Sequence, residues 1–548
     1  AGLAEGKLPG ARSNSPSVIF QEVVMQPRRA PVLDCRWLLA ALVKGLLASP
    51  APQVGAQSAA GGPASKAARS AHALRTLPGL SPGAPSVAHY SGYMQVDGGL
   101  EIFYYLAPHP DPSKPLLVWM NGGPGASSLA GLFTELGPFL LNGRSVPDQL
   151  RGEGWKVFAN PEGWHREASL LAWEQPAGVG FSHCRAGPCA PWNDTTAADA
   201  NLRFLAAFFR AFPEERARQL FIAGESYGGI YVPLLAMRVL EHNKGVPEDA
   251  QIQLQGVALG NGCIGYAVDG ACGTDSLELF VEVFERASPG VSERSLADVR
   301  ASCAGELTVG LRPEELSAKC RPAMQRLFEE AGEYNFYHLG SPCGPGGTGN
   351  WGDGAGYSCG AWEALDAYLA DAEVQCALHA IPCDNKTKPR RWQQWDGDSP
   401  FYNITEADAQ PAYRALLAAG VRILVYNGLR DTAVPAMGAE KWVPRVAGAA
   451  IAEPRRHWGA PGGSLAGSVT VYESGLTFAT LEGAGHLVPA DRPSEARAML
   501  AAWLRGERLP PYTGARCQRI WLGRGFGGGD ALCGRGWPRA AQEEVFAV

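Results

Sequence analysis

The chain has 548 residues, which is enough for one large domain with insertions or for two or three domains of ordinary size. Its formal net charge is −6 and only 19% of its residues are charged, so nothing in the composition favours nucleic acid as a partner. Glycine (68 residues) and proline (42 residues) are both frequent, which predicts long loops between the regular elements.

The first 76 residues have the character of a leader rather than of a folded domain. Residues 36–60 contain a basic residue, an apolar run and then small residues, which is the layout of a signal peptide. Because this run begins late and Lys44 interrupts it, an internal anchor and a transit-type leader remain alternatives. Residues 49 to about 72 are rich in Ala, Ser, Gly and Pro and are typical of a disordered linker.

From residue 77 the chain alternates strand-like and helix-like segments. The runs "EIFYYLAP" and "PLLVWMNG" predict strands, and residues 201–212 have an apolar spacing suited to a helix. Two further strands, "QLQGVALGNG" and "VRILVYNG", each end in glycine. This alternation indicates an α/β fold with a mainly parallel central sheet, formed by residues 77–262 and 384–510. No segment there reaches the run of about 18 apolar residues that a membrane helix needs, so we expect no membrane span in the main body.

Thirteen cysteines indicate an oxidising compartment. Eight of them lie in residues 263–383, where glycines and short helical pieces replace the alternation, so we predict an inserted cap stapled by disulfides. Their pairing is left open. No two Cys-x-x-Cys motifs have zinc spacing, and we expect no metal site. Three N-x-S/T sequons also favour the secretory pathway; they are Asn193, Asn385 and Asn403.

The segment "LFIAGESYGGIYVP", residues 220–233, places Ser226 in a G-x-S-x-G pattern between an apolar strand and a helix. Glycines on both sides make room for the sharp turn that exposes a nucleophilic serine. An ordinary turn with a surface serine is the alternative, and the pattern alone does not decide between them.

Two other residues are candidates for the base and the acid that an activated serine needs. His486 lies in the glycine-rich loop "GAGH" ahead of a helix, and Asp431 follows the apolar strand "ILVYNG". Catalytic groups collect at such strand ends in parallel sheets. A surface histidine and a turn aspartate are the alternatives. The chain order Ser226, Asp431, His486 is that of the α/β-hydrolase fold.

Four longer blocks resemble the serine carboxypeptidase family. They are, in chain order, "WMNGGPGASSLAGLFTELGP", "WEQPAGVGFS", "GESYGGIYVP" and "GAGHLVPADRP". The resemblance runs from about residue 77 to residue 510. It implies an α/β-hydrolase fold with an inserted cap and a serine-type carboxypeptidase that needs no cofactor. Such an enzyme releases C-terminal amino acids from peptides and proteins through an acyl-enzyme, and it favours acidic pH.

The resemblance also implies roles for the catalytic residues. Ser226 would attack the carbonyl carbon of the last peptide bond, and His486 would take the proton and return it to the leaving amino acid. Asp431 would hold the imidazole in the required tautomer. The backbone N–H groups of Gly123 and Tyr227 would form the oxyanion hole.

An exopeptidase must in addition bind a free C-terminal carboxylate. The resemblance assigns this task to Asn121, Glu135 and Glu225, with Trp119 lining the same pocket. Two close carboxyl groups that share a proton can donate a hydrogen bond to an anion. Because that proton is lost as the pH rises, peptide cleavage is expected to favour acid.

The chain departs from the family pattern at several places. Ala126 stands where the family usually has a cysteine, and no cysteine follows Trp392 or Trp395, where the partner cysteine usually lies. A rearranged bridge involving nearby cysteines remains open. The family's G-D-x-D is Gly428–Asp431 here and keeps only the second acid. Residues 511–548 extend past the usual family end, and no role is assigned to them.

Two alternatives to a carboxypeptidase remain. An acyltransferase of the same family would use the same three residues to pass an acyl group from a small-molecule ester to an alcohol. A catalytically silent binding protein would keep only the fold. The presence of both Glu135 and Glu225 favours the peptidase, and the intact set of three catalytic residues argues against a silent protein. A homodimer is known in the family, but no residue pattern here predicts one.

Overall fold

The computed structural model describes residues 69–80, 88–147, 154–268, 272, 277–287, 290–307, 315–332, 334–341, 343, 359–384, 386–392 and 402–514. The predicted signal segment, Asn385, Trp395 and residues 515–548 lie outside the described residues.

The strands have the following bounds in chain order: β1 (Tyr90–Val96), β2 (Leu100–Ala107), β3 (Leu116–Met120), β4 (Phe139–Leu140), β5 (Phe158–Ala159), β6 (Ser169–Trp173), β7 (His183–Cys184), β8 (Trp192–Asn193), β9 (Leu220–Glu225), β10 (Leu254–Gly260), β11 (Tyr402–Asn403), β12 (Arg422–Gly428), β13 (Ile451–Gly459), β14 (Leu465–Tyr472) and β15 (Leu476–Leu481).

Eleven of these strands form one sheet in the order β1-β2-β6-β3-β9-β10-β12-β15-β14-β13, with β7 paired to β2. The six strands from β6 to β15 in this order are parallel, and the strands at both edges are antiparallel. Every residue of β3, β6 and β9 is buried, as expected of parallel strands that are covered on both faces. The prediction of a mainly parallel central sheet is therefore confirmed.

The helices have the following bounds: α1 (Ser128–Gly131), α2 (Asp194–Ala211), α3 (Pro213–Arg216), α4 (Gly228–Lys244), α5 (Leu277–Ala287), α6 (Glu293–Ser302), α7 (Cys320–Ala331), α8 (Ala361–Ala370), α9 (Ala372–Ala377), α10 (Gln410–Ala418), α11 (Ala436–Ala447), α12 (Val488–Asp491) and α13 (Pro493–Leu504). A π-helical turn, Leu132–Leu136, continues α1. None of the helices in the described part of the chain has the length and apolar character needed to cross a bilayer.

Helices pack on both faces of the sheet and form two hydrophobic layers. One layer contains α2, α4, α10 and α11, and the other contains α1, α8 and α13. Side chains of β3 alternate between the layers, with Val118 in the first and Trp119 in the second. The helix predicted at 201–212 is the C-terminal part of α2, whose N-terminus is fixed by a capping box between Asn193 and Thr196.

The described residues fall into two compact units. One unit consists of the described residues of 274–332, with helices α5, α6 and α7. A disulfide between Cys303 and Cys320 lies within it, and Phe328 packs edge-on against two phenylalanines of α5. The other unit contains the sheet and the remaining helices. Of the described residues in the segment predicted as a cap, 263–268, 272, 334–341, 343 and 359–383 belong to this second unit.

Five disulfides join the ten cysteines that the structure describes, and each bridge joins two cysteines that are consecutive among these ten. The pairs are Cys184–Cys189, Cys263–Cys272, Cys303–Cys320, Cys343–Cys359 and Cys376–Cys383. Four of the five lie within residues 263–383, as the prediction of a disulfide-stapled segment requires. The pairing that the sequence left open is thus local throughout the described residues.

Candidate active site

Ser226 occupies the turn between β9 and α4. Its backbone φ is 59°, in the left-handed region that a side chain rarely adopts. The Ser226 N–H donates to the Gly260 carbonyl at 3.1 Å, and the Ser226 carbonyl accepts from the N–H groups of Gly229 and Cys263, each at 2.9 Å. Because these three bonds fix a sharp turn after a buried strand, the half-buried Ser226 hydroxyl is presented at the carboxyl end of the sheet.

His486 and Asp431 are hydrogen-bonded to each other. His486 Nδ1 lies 2.6 Å from Asp431 Oδ2, and both side chains are buried. The Asp431 carboxylate also accepts from Asn261 Nδ2 at 2.7 Å and from the N–H groups of Ala433 and Val434. Because four donors bind the carboxylate, its orientation is fixed. Since it binds His486 through Nδ1, the other ring nitrogen, Nε2, is left to act as a base. Sequence reasoning missed Asn261, which directly follows β10.

The loop after β3 lies directly against the turn that carries Ser226. A β-carbon on Gly122 would lie 2.3 Å from the Tyr227 nitrogen and 2.9 Å from Ser226 Cβ, so only glycine fits there. The Gly125 N–H donates to the Tyr231 hydroxyl at 3.2 Å, which fixes the loop on α4. The two predicted oxyanion donors, Gly123 and Tyr227, therefore belong to segments in direct contact.

A buried carboxylate holds the side chain of Tyr227. The Tyr227 hydroxyl donates to Asp194 Oδ1 at 2.7 Å, and the Tyr402 hydroxyl donates to the same oxygen at 2.9 Å. Asp194 Oδ2 accepts from the N–H groups of Thr405 and Glu406 at 2.6 and 2.7 Å. Asp194 is the first residue of α2, and the sequence around it indicates only that a helix begins there. We infer that it keeps the Tyr227 backbone in place.

Glu135 and Glu225 form a buried pair beside the candidate catalytic residues. Each side chain is 2% exposed, and a hydrogen bond joins the two carboxyl groups. Burial raises the pKa of Glu135 to about 7, and burial together with the charge of Glu135 raises the pKa of Glu225. One oxygen of each carboxyl group has no hydrogen-bond partner among the described residues. The raised pKa values favour protonation of the pair in acid, and each carboxyl group has an oxygen with unused hydrogen-bonding capacity.

Asn121 and Trp119 extend this pair into a chain of hydrogen bonds. Asn121 Oδ1 accepts from Trp119 Nε1 at 2.8 Å and from the Gly131 N–H at 3.0 Å. The Asn121 side chain is also hydrogen-bonded to Glu135. The structure thus brings together the four side chains predicted to surround a substrate carboxylate. The charge of His486 acts to lower the pKa of Glu135, so the two side chains lie within electrostatic range of each other.

Residues of the motif "WEQPAGVGFS" hold the loop after β3, which contains Gly123, in place. Glu174 is fully buried and accepts from the Ser127 hydroxyl at 2.6 Å, the Phe181 N–H at 2.6 Å and Trp392 Nε1 at 2.7 Å. Ser127 caps α1 at the end of the loop that contains Gly123. Burial raises the pKa of Glu174 to about 7. The motif therefore stabilises the loop that contains Gly123.

Gly180→Ala is expected to lower the free energy of unfolding by about 3 kcal/mol. A β-carbon there would lie 1.8 Å from Glu174 Oε1, and the residue has a φ of +55°. The matched control is Gly420→Ala, which has a φ of +79° and no atom within 4 Å of the added carbon. The control is expected to cost about 1 kcal/mol, the conformational penalty alone. Urea unfolding of both variants measures the difference; equal losses would show that the contact with Glu174 is not tight.

Two of the predicted glycosylation asparagines lie side by side. Asn193 and Asn403 are register partners in the short parallel pair of β8 and β11. Asn193 is half-buried and caps α2 by accepting from the Thr196 N–H, whereas Asn403 is exposed. Both side chains stay candidates for modification. In the described ranges no cluster of three or more His, Cys, Asp or Glu side chains is arranged to hold a metal ion.

Comparison with known proteins gives a consistent result. A family model described as serine carboxypeptidase matches residues 78–506. Serine carboxypeptidase-like 33 of Arabidopsis thaliana is 31% identical over 78% of this chain and 89% of its own length. Serine carboxypeptidase 1 of Hordeum vulgare is 30% identical over 79% of this chain and 92% of its own length. The family match therefore covers nearly the whole span from residue 69 to residue 514, within which the described residues lie.

Among solved structures, a similar fold occurs in KEX1(ΔP), a prohormone-processing carboxypeptidase from Saccharomyces cerevisiae. Its TM-score is 0.61, with 20% sequence identity over 80% of this chain and 96% of the yeast chain. At this level of identity the comparison shows a shared fold.

Proposed function

Because this chain belongs to the serine carboxypeptidase family, we propose that it releases single C-terminal amino acids from peptides and proteins through an acyl-enzyme, with highest activity at acidic pH. The observation that carries this proposal is the buried Glu135–Glu225 pair with its unpartnered oxygens beside Ser226. A hydrolase acting on internal peptide bonds or on neutral esters has no need for a buried proton donor next to its nucleophile.

In the proposed mechanism, Ser226 Oγ attacks the carbonyl carbon of the last peptide bond while His486 Nε2 takes its proton. Asp431 holds the Nδ1 side of the imidazole at 2.6 Å and stabilises the imidazolium that forms. The N–H groups of Gly123 and Tyr227 stabilise the negative charge on the carbonyl oxygen. His486 then protonates the leaving nitrogen, the C–N bond breaks, and an ester to Ser226 remains. A water molecule that gives its proton to His486 hydrolyses this ester and restores the hydroxyl.

The substrate carboxylate would bind at the free oxygens of Glu135 and Glu225 and at the amide of Asn121. A carboxylate accepts hydrogen bonds only, so the pair must supply a proton to bind it. Because burial raises the pKa of Glu135 to about 7 and also raises the pKa of Glu225, both carboxyl groups hold protons in acid, one for the hydrogen bond between them and one for the substrate. The proton available to the substrate is lost as the pH rises through the pKa of Glu135. Peptide hydrolysis is therefore expected to favour acid, with no cofactor required.

An acidic working range agrees with a vacuolar, lysosomal or extracellular location reached through the secretory pathway. Five local disulfides, which form and persist in oxidising compartments, support this location. The exposed position of Asn403 in its sequon supports it further.

The expected result with an N-blocked dipeptide at about pH 5 is release of the free C-terminal amino acid, which leaves as the acyl-enzyme forms. The matched control is the same dipeptide with an amidated C-terminus, which should be cleaved far more slowly because it lacks the carboxylate. A second control offers a glucose ester and an alcohol acceptor. Transfer to the alcohol without dipeptide cleavage would identify an acyltransferase, and the absence of both reactions would identify a silent protein.

A further inference from the structure

We propose that Tyr337 is a positioning residue for His486: its ring packs against the imidazole while its backbone carbonyl holds the His486 amide. This inference deepens the proposed function and rests on it, because it gives Tyr337 a part in the same reaction. Tyr337 lies in residues 334–341, here called the strap, which belong to the same compact unit as the sheet.

The strap is hydrogen-bonded to the loop that carries the candidate acid, Asp431, and to the loop that carries the candidate base, His486. The His486 N–H donates to the Tyr337 carbonyl at 2.6 Å, and the Leu339 N–H donates to the Arg430 carbonyl at 2.7 Å. The Thr432 hydroxyl donates to the Phe336 carbonyl. Because the Asp431 loop follows β12 and the His486 loop follows β15, the strap joins two segments that approach the site from different strands.

The ring of Tyr337 contacts two other rings. Its centroid lies 4.9 Å from that of His486, with an angle of 34° between the planes. It also lies 5.8 Å from the ring of Trp362 in the first turn of α8, with the planes 22° apart. A flat side chain held against the imidazole restricts its rotation, and the electron-rich face of tyrosine favours a nearby cation such as the imidazolium.

The ring, rather than the hydroxyl, is the part of Tyr337 that can act on His486. Within the described ranges the hydroxyl forms no hydrogen bond. Burial, with the negative charges of Asp431 and Glu225, raises the pKa of Tyr337 to about 12. The hydroxyl thus stays protonated at every working pH and does not compete with His486 as a base.

The test compares Tyr337→Leu, which removes the aromatic ring, with Tyr337→Phe, which keeps it. Tyr472→Leu, at the far end of β14, controls for the loss of a tyrosine ring elsewhere. Active sites are counted by stoichiometric labelling with a fluorophosphonate, so that kcat refers to folded, labelled enzyme only. The kcat of Tyr337→Leu is expected to fall on the order of 10²-fold, with KM changed less than about threefold. The kcat of Tyr337→Phe is expected to stay within about threefold of the wild-type value.

A second measurement does not depend on turnover. The proton between His486 Nδ1 and Asp431 should give a far-downfield NMR resonance in the wild-type protein and in Tyr337→Phe, and this resonance should broaden or move in Tyr337→Leu. Unchanged kcat per site and an unchanged resonance in Tyr337→Leu would overturn the role of Tyr337 alone. Equal losses in the Leu and Phe variants would also overturn it, because the hydroxyl would then be responsible. Failure of the wild-type protein to hydrolyse any peptide would overturn the proposed function, while the resonance would still decide the effect of Tyr337 on His486.

Discussion

Ser226→Ala is expected to lower kcat for peptide hydrolysis by about 10⁵- to 10⁶-fold, because residues that transfer one proton in concert act as a unit. His486→Ala should cost about as much, and combining it with Ser226→Ala should add little further loss. Asp431→Asn should cost about 10⁴-fold, since an amide can present its N–H to His486 Nδ1 and stabilise the wrong tautomer.

The measurement is kcat on an N-blocked dipeptide, with folding checked by unfolding temperature and by circular dichroism. Ser113→Ala, on an exposed loop, is the matched control and should keep the wild-type rate. The control matters because Ser226 occupies a strained turn, and a loss through misfolding would also lower the rate. A correctly folded Ser226→Ala protein with a wild-type rate would refute the proposed mechanism.

Replacing Glu135 and Glu225 together by alanine is expected to lower kcat/KM for a dipeptide by about 10²- to 10⁴-fold. This range corresponds to the loss of two hydrogen bonds to a charged group, each worth about 1.5–3 kcal/mol. A matched dipeptide ester without a free carboxylate should lose much less, because it never uses these donors. The ratio of the two kcat/KM values therefore isolates the contribution of the pair from any general damage to the site.

Replacing Glu135 and Glu225 together by glutamine is expected to shift the pH dependence of kcat/KM for peptide hydrolysis. In the wild-type protein burial raises the pKa of Glu135 to about 7, and peptide kcat/KM should fall as the pH rises through that value, because the donor to the substrate carboxylate is then lost. Glutamine keeps N–H donors that do not titrate, so the alkaline limb of the peptide profile should move to higher pH. The exposed substitution Glu473→Gln is the control and should leave the profile unchanged. If the alkaline limb of the double variant coincides with that of wild type, the two glutamates do not bind the substrate carboxylate.

Much of the fold was determined by local sequence. Apolar runs with glycine at their ends predicted the central strands, and the order of Ser226, Asp431 and His486 predicted an α/β-hydrolase fold. That prediction is confirmed by the mainly parallel sheet and by the shared fold with KEX1(ΔP). The four sequence blocks likewise led to the serine carboxypeptidase family, which the family model confirms over residues 78–506. These features could be predicted because strand burial and sharp turns leave their mark on consecutive residues.

Contacts between distant segments were decided only by the tertiary structure. Asp194 meets the Tyr227 hydroxyl across 33 residues of chain, and Glu174 meets Trp392 across 218. Each of these carboxylates had the local signal of an ordinary helix start or loop acid. The strap around Tyr337 lies in a region where the sequence predicted only short helical pieces and disulfides. Such partners cannot be predicted from local patterns. A buried polar group is stabilised by hydrogen-bond donors that the packed elements bring within about 3 Å of it. Which donors these are depends on how the sheet and its loops pack in three dimensions.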